Sequence, residues 1–301
     1  MSSDADWQEL HCTARKDQIN ALERWFFNAG ALSITLEDQA DQPLLEPGPG
    51  ETPLWEAVRV TALFAGDQDL SPVLEAVPGE LVTKAPQAAV LVADREWTRV
   101  WEDQFQPMQM GNRLWICPSW TLPLKPDAIN LLLDPGLAFG TGTHMTTAMC
   151  LKALDAASLE KTCVVDYGCG SGILGIAAAL LGAKQVLGVD NDPQAITASL
   201  SNASRNDIST AQFSASLPTA SELEDWKGSA DWVVANILAG PLIELAPTLT
   251  TLMAPRGRLV LAGLLEEQTE QVIAAYAPEV MLAVADQREE WVLLVGEHHS
   301  L

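Results

Sequence analysis

Apolar and polar positions follow two periods along the first ninety residues. "WQELHCTA", "LSITLED" and "LWEAVRVTALF" alternate every second residue and predict strands. Between the first two, "DQINALERWFFNAG" sets Ile19, Leu22, Trp25 and Phe26 on one helical stripe, which Gly30 stops. "EPGPGETP" reads as a turn-rich loop. "DLSPVLEAV" predicts a shorter helix with Pro72 in its first turn, and "QAAVLVAD" a last strand. The order β-α-β-β-α-β is that of a ferredoxin-like α+β sandwich, a fold that names no function by itself. "EWTRVWEDQFQPM" follows, with Trp97, Val100, Trp101 and Phe105 at helical spacing, and predicts a semi-rigid helical connector.

From about residue 112 the pattern changes. "CVVDYG", "QVLGVD", "DWVVAN" and "GRLVLAG" read as strands, with helices such as "GILGIAAALLG" and "DPQAITASLSNASRN" between them. That alternation predicts a doubly wound parallel sheet with helices on both faces. The end, "EVMLAVADQREEWVLLVGEH", is two alternating runs joined by a polar turn and predicts a terminal antiparallel hairpin. The expected division is therefore an α+β domain at 1–94, a connector at 95–111 and an α/β domain at 112–301.

Nearly half of the 301 residues are apolar, enough for a sizeable core, and no apolar run approaches the ~20 residues of a membrane span. The polar start "MSSDADWQEL" carries no export signal, so a soluble cytoplasmic protein is expected. Five cysteines without C-x-x-C spacing argue against a zinc site or a disulfide framework. Forty acidic residues face 17 basic ones, a net charge of −23. Such a surface repels nucleic acid and attracts basic partners. The acidity sits at both ends, 16 acidic against 5 basic residues over 1–94 and 20 against 8 over 130–301.

The chemistry gathers around "VVDYGCGSGILG". Gly170, Gly172 and Gly175 match the dinucleotide pattern G-x-G-x-x-G, with Asp190 near the expected distance. Gly168, Gly170 and Gly172 match instead an acid-x-G-x-G-x-G pattern headed by Asp166. Both place a tight turn after a buried strand. Charge separates them, because Asp166 would oppose a pyrophosphate at the helix N-terminus. A nucleoside carrying an ammonium and a sulfonium, S-adenosylmethionine, would tolerate or use Asp166. Asp190, ending "LGVD", could then accept from both ribose hydroxyls. Asn236 ends "DWVVAN" at the carboxyl edge of the sheet, where it could hold an amine's N–H groups. "LDPGLAFGTGTHMTTAM" supplies a second glycine- and threonine-rich loop, in which His144 reads as a loop-holding residue rather than a general base. Cys169 reads as a packing thiol.

"LDPGLAFGTGTH", "DYGCGSGILGIAA" and "VVANILAGPL" together resemble the signature stretches of the bacterial ribosomal protein L-eleven (L11) methyltransferases. The β-α-β-β-α-β segment, the connector and "RLWICPSW" match that family's layout, so the resemblance covers nearly the whole chain. It implies a small N-terminal domain that recognises the ribosomal protein. It also implies a class I S-adenosylmethionine-dependent domain with a Rossmann-like sheet, methylating lysine side chains and the N-terminal amine. By motif position, cofactor contacts would fall on Thr147, Gly168, Asp190 and Asn236, beside Gly170 and Asp166 of the glycine run. The family's loop usually continues histidine–proline, whereas Met145 follows His144 here. "ANIL" also lacks the aromatic of amino-adenine and glutamine methyltransferases, with Ala239 in its place. Two other readings use the same residues. One is a nicotinamide-dependent dehydrogenase on Gly170, Gly172 and Gly175; the other is a non-catalytic scaffold binding a basic protein.

Overall fold

The structure is a computed structural model that describes residues 7–39, 55–86, 90–92, 106–134, 144–219 and 221–298. The chain forms two compact units, Met1–Gln104 and Phe105–Leu301.

In the first unit the elements are β1 (Trp7–Arg15), α1 (Ile19–Asn28), β2 (Ser33–Asp38), β3 (Ala57–Ala65), α2 (Ser71–Ala76) and β4 (Val90–Val92). Their antiparallel sheet runs β2-β3-β1-β4, the ferredoxin-like order. Period-two alternation turns Leu10, Cys12 and Ala14 of β1 and Val58, Val60 and Phe64 of β3 to one face. Ile19, Leu22 and Phe26 of α1 close over them, while Trp25 is only partly buried and meets Phe26 edge-on. Pro72 falls in the first turn of α2. The turn-rich loop and the connector tryptophans Trp97 and Trp101 lie outside the described residues.

The second unit opens with a small sheet that the sequence pattern does not reveal. It comprises β5 (Met108–Met110), β6 (Leu114–Cys117) and β7 (Ile129–Leu132), in the order β5-β6-β7. Strands of three or four residues are too short to display a period. Residues 108–111, expected in the helical connector, are instead in or beside this hairpin. Gly111 makes the reversal at φ +92°, and a Cβ there would lie 2.3 Å from a carboxylate oxygen of Asp155.

The large sheet follows. Its elements are α3 (Met145–Ala156), β8 (Cys163–Tyr167), α4 (Ile173–Leu180), β9 (Gln185–Val189), α5 (Pro193–Arg205), β10 (Phe213–Ser216), α6 (Ser221–Asp225), β11 (Ala230–Asn236), α7 (Ala239–Glu244), α8 (Ala246–Leu252), β12 (Met253–Leu265), α9 (Thr269–Tyr276), β13 (Val280–Arg288) and β14 (Trp291–His298). The strands run β10-β9-β8-β11-β12-β14-β13. The first five are parallel, and β14 is antiparallel to both its neighbours. The predicted hairpin thus inserts its second strand between β12 and its first. Neighbouring residues of a strand face opposite layers. Val164, Val186 and Val234 pack under α3 and α4, whereas Val165, Leu187 and Val233 pack against α7, α8 and α9. Both faces are covered, which is why these strands read as continuous apolar runs. Strand order reverses between β8 and β11, so a crevice opens there at the carboxyl edge.

α3 lines that crevice with its first turn and is anchored by its last. The buried Asp155 carboxylate accepts the N–H groups of Asn112 and Arg113, and the Arg113 guanidinium donates to the carbonyls of Asp155 and Ala157. Asp155→Ala should lower the unfolding free energy by ~1–3 kcal/mol, because hydrogen bonds to a charged acceptor are lost. Denaturant unfolding with an unchanged midpoint would contradict this anchoring.

Candidate active site

A cavity of ≈ 690 Å³ lies at the switch point, and Thr147, Gly168, Gly170, Asp190 and Asn236 line it. The walls between them are largely apolar, with Tyr167, Ile237, Leu238 and Pro241 among them. No lysine or arginine is among its described lining residues.

The glycine loop leaves β8 in left-handed backbone, with φ +78° at Gly168 and +81° at Gly172. A Cβ on Gly168 would lie 2.2 Å from the Ile237 side chain, so the loop runs tight against the residue that follows β11. Two carboxylates then fix its path. Asp190 accepts the Gly170 N–H at 2.9 Å on one oxygen and the Asp192 N–H at 3.0 Å on the other. A carboxylate offers about four lone-pair sites, so each oxygen retains capacity toward the cavity. The cap of α5 falls to Asp192, which accepts the Gln194 N–H, and Asp190 is free of that duty.

Asp166 takes a different place from the expected one. It does not line the cavity. Its side chain is 1% exposed and turns beneath the loop, where one oxygen accepts the Gly175 N–H at 2.8 Å. The other oxygen has no partner. The reason is register: Asp166 is the penultimate residue of β8, one step short of the carboxyl edge. Burial pushes its carboxyl up to about 7, the Gly175 N–H works against this, and the charge of Asp190 adds to it. Asp166 therefore ties the first turn of α4 to β8 from beneath the loop. The same bond occupies the amide of the third glycine in the dinucleotide pattern. A carboxylate on the cavity at Asp190, with no lysine or arginine on its described walls, disfavours a pyrophosphate there.

Asn236 and Thr147 meet across the crevice, the amide nitrogen donating to the threonine hydroxyl at 3.1 Å. Thr147 is buried. With the Asn236 nitrogen donating to Thr147, the amide oxygen is the side chain's acceptor. His144 caps α3: its Nδ1 receives the Thr146 N–H and lies 2.7 Å from the Thr146 hydroxyl. That bonding is that of a helix cap. Cys169 is buried, and burial pushes its thiol up, with the charges of Asp166 and Asp190 in the same direction. It is a packing residue and not a nucleophile.

Two further positions were not legible beforehand. Gly263, at φ +86°, brings β12 so close that a Cβ would lie 2.5 Å from the Ile237 carbonyl oxygen. A glycine ending the run "LVLAG" was the available signal. Trp291 opens β14, lines the cavity and stacks edge-to-face with His144 at 5.0 Å and 77°. In sequence it is one more apolar residue of a hairpin. Only the insertion of β14 beside β12 brings it to the crevice. Among the described residues no cluster of His, Cys, Asp or Glu is arranged to hold a metal ion, and no helix is long and apolar enough to cross a membrane.

The Asp166 environment makes stability depend on pH. A carboxyl raised from 3.8 to about 7 in the folded state favours folding fully below about pH 3.8, and that contribution is lost as pH rises through 7. A shift of this size corresponds to ~4 kcal/mol at most. Asp166→Asn keeps an acceptor for Gly175 and cannot ionise. Its melting temperature relative to the parent protein should therefore climb between pH 4.5 and 8. A difference that stays flat over that range would contradict a carboxyl titrating near 7.

The geometry has clear relatives. The family model described as Ribosomal protein L11 methyltransferase (PrmA) matches residues 6–299. A Teredinibacter turnerae protein named ribosomal protein L11 methyltransferase is 45% identical over 98% of both chains. One of the same name from Pseudomonas aeruginosa is 48% identical over 98% of this chain and 99% of its own. A crystal structure of a ribosomal protein L11 methylase from Lactobacillus delbrueckii subsp. bulgaricus, 33% identical, covers 64% of this chain and 99% of that chain with a TM-score of 0.57. A parallel sheet with a crevice at its switch point, a glycine loop tied by two aspartates, and near full-length matches all lead to one assignment: the chain belongs to the ribosomal protein L11 methyltransferase family.

Proposed function

We propose that this protein transfers methyl groups from S-adenosylmethionine to amino groups of ribosomal protein L11, on lysine side chains and the N-terminal amine. One observation carries the reading. Asp190 and the Asn236–Thr147 pair stand on the same cavity, and its described walls hold a carboxylate and no cation. That donor set fits a nucleoside bearing positive charge and does not fit a phosphorylated one.

S-adenosylmethionine, when bound, supplies an electrophilic methyl group on a sulfonium. Asp190 would hold the ribose hydroxyls with the lone pairs that Gly170 and Asp192 leave open. The backbone of Gly168 and Gly170 and the Thr147 side chain would line the rest of that ligand. Asn236 would orient the target amine through its amide oxygen, as a positioning group and not a base. The amine must be neutral to react. At pH 7 this costs ~4.6 kcal/mol for a lysine and about 1 kcal/mol for an α-amine. The apolar walls lower that cost by disfavouring the ammonium. With His144 Nδ1 bonded to Thr146, the proton leaves to water.

A net charge of −23 favours encounter with a basic ribosomal protein, which is a cytoplasmic substrate. Residues 1–94 would recognise that protein and 112–301 hold the cofactor, since every described cavity residue lies beyond position 130.

Two substitutions divide the roles. Asp190→Ala should weaken S-adenosylmethionine binding by about ten- to a hundredfold, the loss of a charge-assisted bond of ~1.5–3 kcal/mol. Asn236→Ala should leave that affinity within about threefold and reduce turnover on L11 by more than tenfold. Calorimetry and mass spectrometry of L11 read the two effects. Wild-type turnover in the Asn236 variant at saturating substrate would remove it from the amine site.

A further inference from the structure

Sheet order sets out the cavity along one line. Asp190 follows β9, Gly168 follows β8, Asn236 ends β11, Gly263 lies in β12 and Trp291 opens β14. Adjacent strands lie about 4.8 Å apart, so Asp190 and Trp291 are separated by four spacings, about 19 Å. The nucleoside end belongs at β9, by the proposed ribose contact, and the methyl-transfer point at β11. The cavity continues two strands past that point, under Gly263 and Trp291. This extension is largely apolar, with His144 beside Trp291. It holds the half-buried Trp291, whose indole is fixed edge-on by His144, and Leu238, 49% exposed, forms its lip. Gly263 packs against the Ile237 backbone, while the Ile237 side chain turns the other way, toward Gly168.

We propose that this extension is the channel for the alkyl chain of the target lysine and that Trp291 is its specificity-determining wall. The proposal rests on the methyltransferase reading above. A lysine has four methylenes between backbone and amine, and an aromatic face takes them out of water. An α-amine sits directly on its Cα and has no such chain to place there. Trp291 therefore acts mainly on lysine and weakly on the N-terminus. Edge-to-face contact with His144 holds the ring in one orientation, which lowers the entropy lost when the chain enters.

The test uses the full chain with intact L11 and S-adenosylmethionine, with methylation rates read site by site by mass spectrometry. Trp291→Ala should reduce kcat/KM at lysines about tenfold, mostly through KM, since a few methylenes lose their cover. The N-terminal amine should change by less than about threefold, and calorimetric affinity for S-adenosylmethionine by less than about twofold. Trp291→Phe should restore most of the lysine rate, and it also serves as the test if the alanine variant fails to fold. Equal losses at lysine and N-terminus, no loss at lysine, or a parallel loss of cofactor affinity would overturn the proposal. Absence of any methylation by the wild-type protein would instead overturn the underlying reading of the function.

Discussion

The loop after β8 passes through several left-handed glycines, and backbone of that kind has no fixed path of its own. Its path comes from two side chains. Asp190 takes the Gly170 N–H from the cavity side, and Asp166 takes the Gly175 N–H from below. Each carboxylate lies at or near the end of a parallel strand, so the sheet itself positions the loop. Everything else at the crevice is arranged against that loop: Ile237 fills the space a Gly168 side chain would need, and Gly263 packs on Ile237 in turn.

Of the two carboxylates, only Asp190 faces the cavity and bears on the choice of ligand. A dinucleotide site of the Gly-x-Gly type leaves its helix amides open for a pyrophosphate. Here the Gly170 N–H, in the loop before α4, is taken by the Asp190 carboxylate, which stands on the cavity. The Asp190 carboxylate on a cavity whose described walls carry no lysine or arginine then favours a cation. This is how an identical glycine spacing serves a different cofactor, and it explains why spacing alone left both readings open.

Much of the architecture was legible because burial writes itself into the sequence. Strands covered on both faces are continuous apolar runs, and the α1 stripe at Ile19, Leu22 and Phe26 marks its buried side. What the sequence hid is non-local. The β5–β7 sheet has strands too short for a period. Asp166 was expected at the ligand because it adjoins the glycines, yet one residue of register turns it under the loop. Trp291 is some fifty residues from Asn236 along the chain, and only the place of β14 beside β12 brings both to one cavity. Asp190, by contrast, was readable as a cavity residue, since it closes a buried strand beside the glycine loop.

The account stands on one selection: the cavity takes a cationic nucleoside and refuses a pyrophosphate. Calorimetric titration of the intact chain with S-adenosylmethionine and, separately, with NAD⁺ at pH 7.5 measures it directly. Saturable 1:1 binding of S-adenosylmethionine, with no measurable heat from NAD⁺, is the predicted result. Binding of NAD⁺ as tight as that of S-adenosylmethionine, or tighter, would contradict it.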